Sequence, residues 1–281
     1  MALNLKKLGT RAATAAVAIV VIVAFITTFP KYCMPVFLML VGLVGLHEAR
    51  RVTHHFGYKL MLTPVLLTIF LGIGGLHLPW FRHEWLVYLV VALSALLAMT
   101  PPTDLKKSLP NTGISITVSA YLGFALIALG ALFQLDGSLA SGYDKGRTLI
   151  IFAIVMVWAG DTSAYLAGSI FGKHKIAPNV SPNKSFEGAF ANLLGNFGFA
   201  YLAQQTFLSE LNNLDLVVLT LVFGILGFYG DLVESCWKRG SGIKDSGSLL
   251  PGHGGILDRL DSIFLTAPVF YYYMTQIVLI R

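Results

Sequence analysis

Charge is scarce in this chain. Only 12% of its 281 residues are Asp, Glu, Lys or Arg, about half the share found in soluble domains. Apolar runs of about 20 residues recur along its whole length, which excludes a soluble function and predicts a polytopic membrane protein. Cysteine is scarcer still. Cys33 and Cys236 show no metal or redox spacing, and neither is expected to be catalytic. No GxxxxGK[ST] phosphate loop is present. The seven histidines are scattered, without a zinc spacing, and His54-His55 are read as part of a solvated inner loop. No internal repeat or low-complexity tract occurs, and no soluble domain fits between apolar segments. The net charge of +6 does not point to nucleic acid here, because cations of membrane proteins collect in inner loops and meet anionic lipid.

What is present is an all-α pattern of nine hydrophobic segments, near residues 12–29, 34–48, 60–76, 85–101, 113–133, 148–170, 188–207, 215–236 and 262–280. The first follows Lys6, Lys7 and Arg11 as in a signal peptide. It is long and lacks a small-x-small cleavage site, so it is read as a retained first span. The second is short and ends in Glu48, which suggests a tilted or partly interfacial segment. With the N-terminus inside, the inner loops hold Lys6, Lys7, Arg11, Arg50, Arg51, Lys59, Lys106, Lys107, Lys173, Lys175, Lys184, Lys238, Arg239, Lys244 and Arg259. The outer side holds Lys31, Arg82, Lys145, Arg147 and Arg281. That is 15 against 5, a strong positive-inside bias that places the N-terminus in the cytoplasm and the C-terminus outside. One membrane-embedded domain, 1–281, is expected, with its chemistry in the part from about 148 to 281.

Acids at or inside spans are costly, by roughly 2.5–3.5 kcal/mol at a helix centre, and are usually functional. Asp161 lies in "VMVWAGDTSAYLAGSIFG" and Asp231 in "GILGFYGDLVESCWKR". Residues three and four apart share a helix face, so Asp231, Glu234 or Ser235, and Lys238 form one polar stripe. Asp258 and Asp261 share a face if the last segment starts helically beside them. Between these helix ends runs "KRGSGIKDSGSLLPGHGGILDRLD", Lys238 to Asp261. Its Gly240, Gly242, Gly247, Gly252, Gly254 and Gly255 would let backbone N–H groups approach a ligand. Its Lys244, Asp245 and His253 add polar groups. Three aspartates from two helix ends suit a hard cation such as Mg2+ that keeps positions open for phosphate oxygens. The loop "FGKHKIAPNVSPNKSFE", Phe171 to Glu187, is read as a phosphate-facing clamp over Asp161; its mundane alternative is an ordinary positive inner loop.

The stretch Ser235 to Asp261 closely resembles the signature of the phosphatidate cytidylyltransferases, or CDP-diacylglycerol synthases. The shared pattern is Ser-x-apolar-Lys-Arg, four residues, Lys-Asp, a glycine-bearing turn, His-Gly-Gly and Asp-Arg-x-Asp. Trp237 stands where an aliphatic residue or Phe is usual. "WAGDTSAYLAGSIFGKHKIAPNVSPNKSFEG", Trp158 to Gly188, resembles the family's second block, with Gly-Asp-Thr for the commoner Gly-Ala-Asp-Ser and with Asp161 and Tyr165 in place. The N-terminal third is similar in hydropathy only.

The resemblance implies that CTP and phosphatidate give CDP-diacylglycerol and pyrophosphate, with Mg2+ and an associated K+, in a homodimer of the bacterial inner membrane whose active site faces the cytoplasm. It implies that Asp231, Asp258 and Asp261 hold the metal and that Ser235 and Lys238 take part in activity. Lys238, Arg239, Lys244 and Arg259 are then expected to neutralise phosphates, Lys184 to clamp, and Asp161 to assist the polar cavity. Asp245, Gly254 and Gly255 belong to the substrate loop, where His253 either contacts substrate or only shapes the turn. Two other readings stand beside this one. A CTP-dependent polyprenol or phytol kinase would phosphorylate an alcohol, and an ion-coupled transporter would place its polar groups nearer the midplane in paired halves.

Overall fold

The computed structural model describes residues 19–78, 81, 83–99, 104–247, 249 and 254–281. Among these residues nine helices follow in order. They are α1 (Ile19–Thr28), α2 (Cys33–His55), α3 (Leu62–Gly75), α4 (His83–Ala98), α5 (Leu105–Phe133), α6 (Lys145–Phe171), α7 (Phe186–Thr206), α8 (Asn213–Gly240) and α9 (Leu257–Tyr273). Each expected segment overlaps one of them, with 12–18 of the first segment and 100–101 of the fourth lying outside the described residues. Single turns of wider π geometry interrupt α5 at Ser119–Phe124 and α8 at Val222–Leu226, and a third, Met274–Val278, extends α9.

Among the described residues, four helices, α2, α5, α6 and α8, are long and apolar enough to cross a membrane. The second segment is therefore not short. α2 runs 23 residues, because Glu48 is buried inside it and does not end it. α7 is 21 residues long, but Asn192, Asn196, Gln204 and Gln205 dilute its apolar character. It nevertheless exposes Leu194, Tyr201 and Leu202, as a lipid-facing surface would. The all-α expectation needs one amendment: the loop after α6 folds into an antiparallel hairpin, β1 (Lys175–Ala177) and β2 (Ser181–Ser185).

The fold groups into two compact units. The first comprises residues 1–130 and 237–260, and the second 131–236 and 261–281. In the first, helices meet through small residues, the usual device where no water drives helices together. A Cβ on Gly72 would stand 2.1 Å from Ile127 Cδ1, so only glycine admits the contact between α3 and α5. In the second unit, α6 and α7 form a long antiparallel pair with the hairpin between them. Gly195 of α7 lies against Ser163, where a Cβ would come within 2.2 Å of Oγ. Phe152, Phe223 and Phe270 close the core behind this pair, with ring centroids 5.2 to 6.3 Å apart.

The start of α8 is held by a buried charge. Asn212 and Asp215 cap one another's backbone N–H groups, satisfying donors the helix cannot. Asp215 is fully buried and also accepts from Tyr273 Oη at 2.5 Å and Arg281 Nη1 at 3.0 Å. Asp215→Ala strands the buried Tyr273 hydroxyl and the Asn212 amide, at about 1–3 kcal/mol per unsatisfied buried group, while the part-exposed Arg281 can turn to water. A markedly lower melting temperature of the purified protein in detergent is expected. A melting curve like that of the parent chain would show that the cluster carries no stability.

Candidate active site

In the first unit the glycine stretch is organised around a residue that sequence reading passed over. Glu48 of α2 is only 3% exposed. Its Oε1 accepts from Ile256 N at 3.0 Å, and its Oε2 from Leu257 N and Ser246 Oγ, each at 2.9 Å. These amides open α9, and the first four N–H groups of any helix lack intrahelical partners. A carboxylate supplied from elsewhere in the chain satisfies two of them and meets the positive end of the helix dipole.

Asp258, in the first turn of α9, continues the network. Its Oδ2 accepts from Gly255 N at 2.7 Å, Ser246 N at 3.0 Å and Ser246 Oγ at 2.9 Å. Its Oδ1 accepts from Lys238 Nζ at 2.5 Å. Both side chains of this ion pair are nearly buried. Burial pushes the Asp258 carboxyl upward. The Lys238 ammonium, the Gly255 amide and the Ser246 hydroxyl outweigh it and hold the carboxyl below its ordinary value.

The glycines are needed for these carboxylates. A Cβ on Gly255 would stand 2.3 Å from Glu48 Oε2, and one on Gly247 would stand 2.2 Å from Glu48 Oε1. Gly254 takes a φ of +81° beside Asp258. The glycines expected to open the backbone to a ligand therefore first admit two internal carboxylates. Gly242, at φ +74°, ends α8 in the left-handed conformation usual after a helix. Arg239, Lys244, Asp245 and Arg259 lie exposed around this core. His253 and Gly252 lie outside the described residues.

The second unit gathers the other candidates. Lys184, on β2, donates to Asp231 Oδ2 at 3.0 Å and to the Phe228 carbonyl at 3.0 Å, and sits 4.2 Å over the Phe228 ring. Ser235 donates to Asp231 Oδ1 at 3.0 Å, confirming the shared face expected from four-residue spacing. Asp161, Lys184, Asn192 and Asp231 line one cavity of about 320 Å³. The clamp loop does reach Asp161, as expected. Asp161 itself is exposed, not buried, because α6 turns it toward this cavity and away from the core. Asp261 accepts from Ser262 N at 2.6 Å. Gly230, the neighbour of Asp231, lies against the Asp261 carbonyl, where a Cβ would come within 2.4 Å. Glycine thus lets α8 and α9 touch beside Asp231 and Asp261.

The expected metal ligands divide between the units. Asp258 belongs to the first, and Asp231 and Asp261 to the second. Among the described residues, neither unit holds a ready-made group of three His, Cys, Asp or Glu. Asp258 is filled by protein donors, whereas Asp231 keeps over a third of its side chain exposed. Mg2+ is commonly held by one or two carboxylates plus substrate phosphates. Asp231 and Asp261 supply hard oxygen donors of the kind Mg2+ takes, on helices that touch at Gly230.

Two outcomes follow from the Glu48 network. Glu48→Ala leaves the Ile256 and Leu257 amides without their acceptor, at about 1–3 kcal/mol per buried group, while the Ser246 hydroxyl keeps Asp258. It should lower the melting temperature, and Gly255→Ala should do the same by driving a methyl into the carboxylate. Parent-like melting of both variants would refute the network's role. Acid provides the second test. A carboxyl held below its unfolded value of about 3.9 contributes stability that is present above that pH and lost as pH falls through the folded value. Asp258→Asn should therefore weaken the acid dependence of stability below about pH 4; an unchanged acid limb would exclude Asp258 as its source.

Comparison with known proteins accords with this site. Residues 9–277 match the cytidylyltransferase family. A protein of Staphylococcus epidermidis named phosphatidate cytidylyltransferase is 32% identical over 263 residues, covering 92% of this chain and 97% of the relative. One of the same name from Staphylococcus aureus strain COL is 32% identical over 264 residues, with the same coverage. A third, from Haemophilus influenzae, is 41% identical over 132 residues, 46% of each chain. The chain belongs to the cytidylyltransferase family.

Proposed function

We propose that this membrane enzyme transfers the CMP moiety of CTP to phosphatidate, giving CDP-diacylglycerol and pyrophosphate. The observation that carries this reading is the likeness to phosphatidate cytidylyltransferases over nearly the whole chain, together with the lysine-neutralised aspartates of the signature. In the reaction an oxygen of the lipid phosphate bonds to the α-phosphorus of CTP. The bond from that phosphorus to the α–β bridging oxygen breaks, and its electron pair leaves with pyrophosphate. The nucleophile is a phosphate monoester, already anionic at neutral pH, so no general base is required. The work lies in positioning two anions in line and neutralising their charge.

The residues suit that work. Lys238 and Lys184 each hold an aspartate and can exchange it for a phosphate oxygen, delivering a positive charge that is already positioned. Ser235 orients Asp231 through its hydrogen bond. Arg239, Lys244 and Arg259, exposed and cationic, meet CTP or the phosphatidate head group, with Asp245, Gly254 and Gly255 in that loop. Asp161 and Asn192 supply polar groups to the second unit's cavity. Asp231 and Asp261 would hold Mg2+, and the ion, when bound, would supply neutralisation of the triphosphate. K+ as a second cation, a homodimer, nine spans, a cytoplasmic N-terminus, and an active site facing the cytoplasm from a bacterial inner membrane complete the proposal. The 15-to-5 cation bias supports that orientation.

The test is product analysis with CTP labelled at the α- or γ-phosphate. Label from the α-position should enter the lipid and label from the γ-position should leave as pyrophosphate. Transfer of γ-label to lipid would replace this reading with a CTP-dependent kinase. Lys238→Ala should lower kcat/KM by about a hundredfold or more, the scale for losing one preorganised charge-stabilising group. Unaltered turnover in a correctly inserted variant would remove Lys238 from the site.

A further inference from the structure

A second cavity, of about 590 Å³, lies wholly within the first unit. Arg50, His54, Lys59 and Lys107 line it, with Leu60 and Leu97 among its apolar walls. None of these cations belongs to the signature.

The cavity is built, and is not a loose arrangement of surface lysines. Arg50 and His54 stand four apart on α2 and so share a face. The strand of chain that carries Lys59 is pinned to α5: Lys59 N donates to Asn111 Oδ1 at 2.9 Å and Met61 N to Ser115 Oγ at 3.0 Å, and both acceptor residues are buried. Lys107 Nζ donates to the Gly57 carbonyl at 3.0 Å, fixing the preceding turn. Asp104 also lines the cavity, but its Oδ1 is engaged in capping α5 through Lys106 N. Among the described residues, no carboxylate pairs with Arg50 or Lys59. Positive charge therefore exceeds negative in a concave site, with apolar walls that focus its field. Arg and Lys directed into such a space match phosphate oxygens. The apolar wall matches the chain that a soluble anion lacks.

We propose that this cavity binds the phosphate head group of an acidic phospholipid, at a site separate from the signature residues. The inference does not depend on the reaction assigned above. The bound lipid would also touch α2, the helix whose Glu48 carries the turn before α9.

The test uses the full chain in phosphatidylcholine nanodiscs with and without phosphatidylglycerol, with retention of phosphatidylglycerol as the readout. The double variant Arg50→Gln/Lys59→Gln should weaken that retention about tenfold or more, since each cation near an anionic lipid adds to its hold. Arg51→Gln/Lys106→Gln removes the same charge from exposed positions outside the cavity and should leave retention unchanged. Equal retention by the parent and both double variants would overturn the site. Equal weakening by both would reduce the effect to bulk charge and overturn it as well. Inorganic phosphate and CTP serve as soluble competitors. Failure of either to displace phosphatidylglycerol supports a lipid site. Displacement in the parent that vanishes in Arg50→Gln/Lys59→Gln would transfer the cavity to a soluble phosphate and overturn the lipid assignment.

Discussion

A carboxylate buried in a charge-poor chain must be saturated, and the arrangement of the first unit follows from how Glu48 meets that demand. Leaving it without partners would cost several kcal/mol. Its two oxygens are filled by the opening amides of α9 and by Ser246, which fixes where the helix begins. That placement requires glycine at 247 and 255, because a side chain at either would occupy the carboxylate's own space. Ser246 then hands the network to Asp258, and Asp258 holds Lys238. A lysine with a proposed role in chemistry is thus positioned by an acid on a helix nearly two hundred residues earlier.

Each unit contains one such balanced pair, Lys238 with Asp258 in the first and Lys184 with Asp231 in the second. An ammonium held in a low-dielectric setting needs a counterion even when no substrate is bound. An aspartate supplies it and can yield it to a stronger, multiply charged phosphate. The same exchange frees carboxylate oxygens, so cation and carboxylate become available together. Among the described residues, Asp231 and Asp258 are each already occupied by a lysine together with a serine or a backbone amide.

The apolar periodicity and the signature together anticipate much of this, and where they fail the reason is physical. Helix positions follow from hydropathy, and the Asp231–Ser235 contact follows from helical spacing. α2 is underestimated because Glu48, Arg50 and Arg51 resemble the polar end of a span; hydropathy does not register that Glu48 is satisfied inside. The general rule that singled out Asp161 and Asp231, an acid at the edge of an apolar run, would have singled out Glu48 equally. Its partners could not have been named, because they lie 198 to 209 residues away and no local pattern links them. The hairpin at 175–185 escaped for a different reason. Its strands are short and rich in Lys, Pro and Asn, and they exist because the α6–α7 pair brings their ends together. Lys184 was expected to face phosphate, and its tie to Asp231 across 47 positions is likewise a product of tertiary structure.

The cations therefore fall into two physical classes. Lys184 and Lys238 are largely buried and balanced by carboxylates. Arg50 and Lys59 are exposed and have no carboxylate partner among the described residues, although they line a cavity. The difference follows from solvation. A buried ammonium without a counterion would lose its charge or its place, whereas a rim cation keeps water and can wait for an external anion. The positive-inside bias read from the sequence counts both classes alike. Only the structure separates the lysines held within a carboxylate network from the exposed cations that line a cavity without a carboxylate partner.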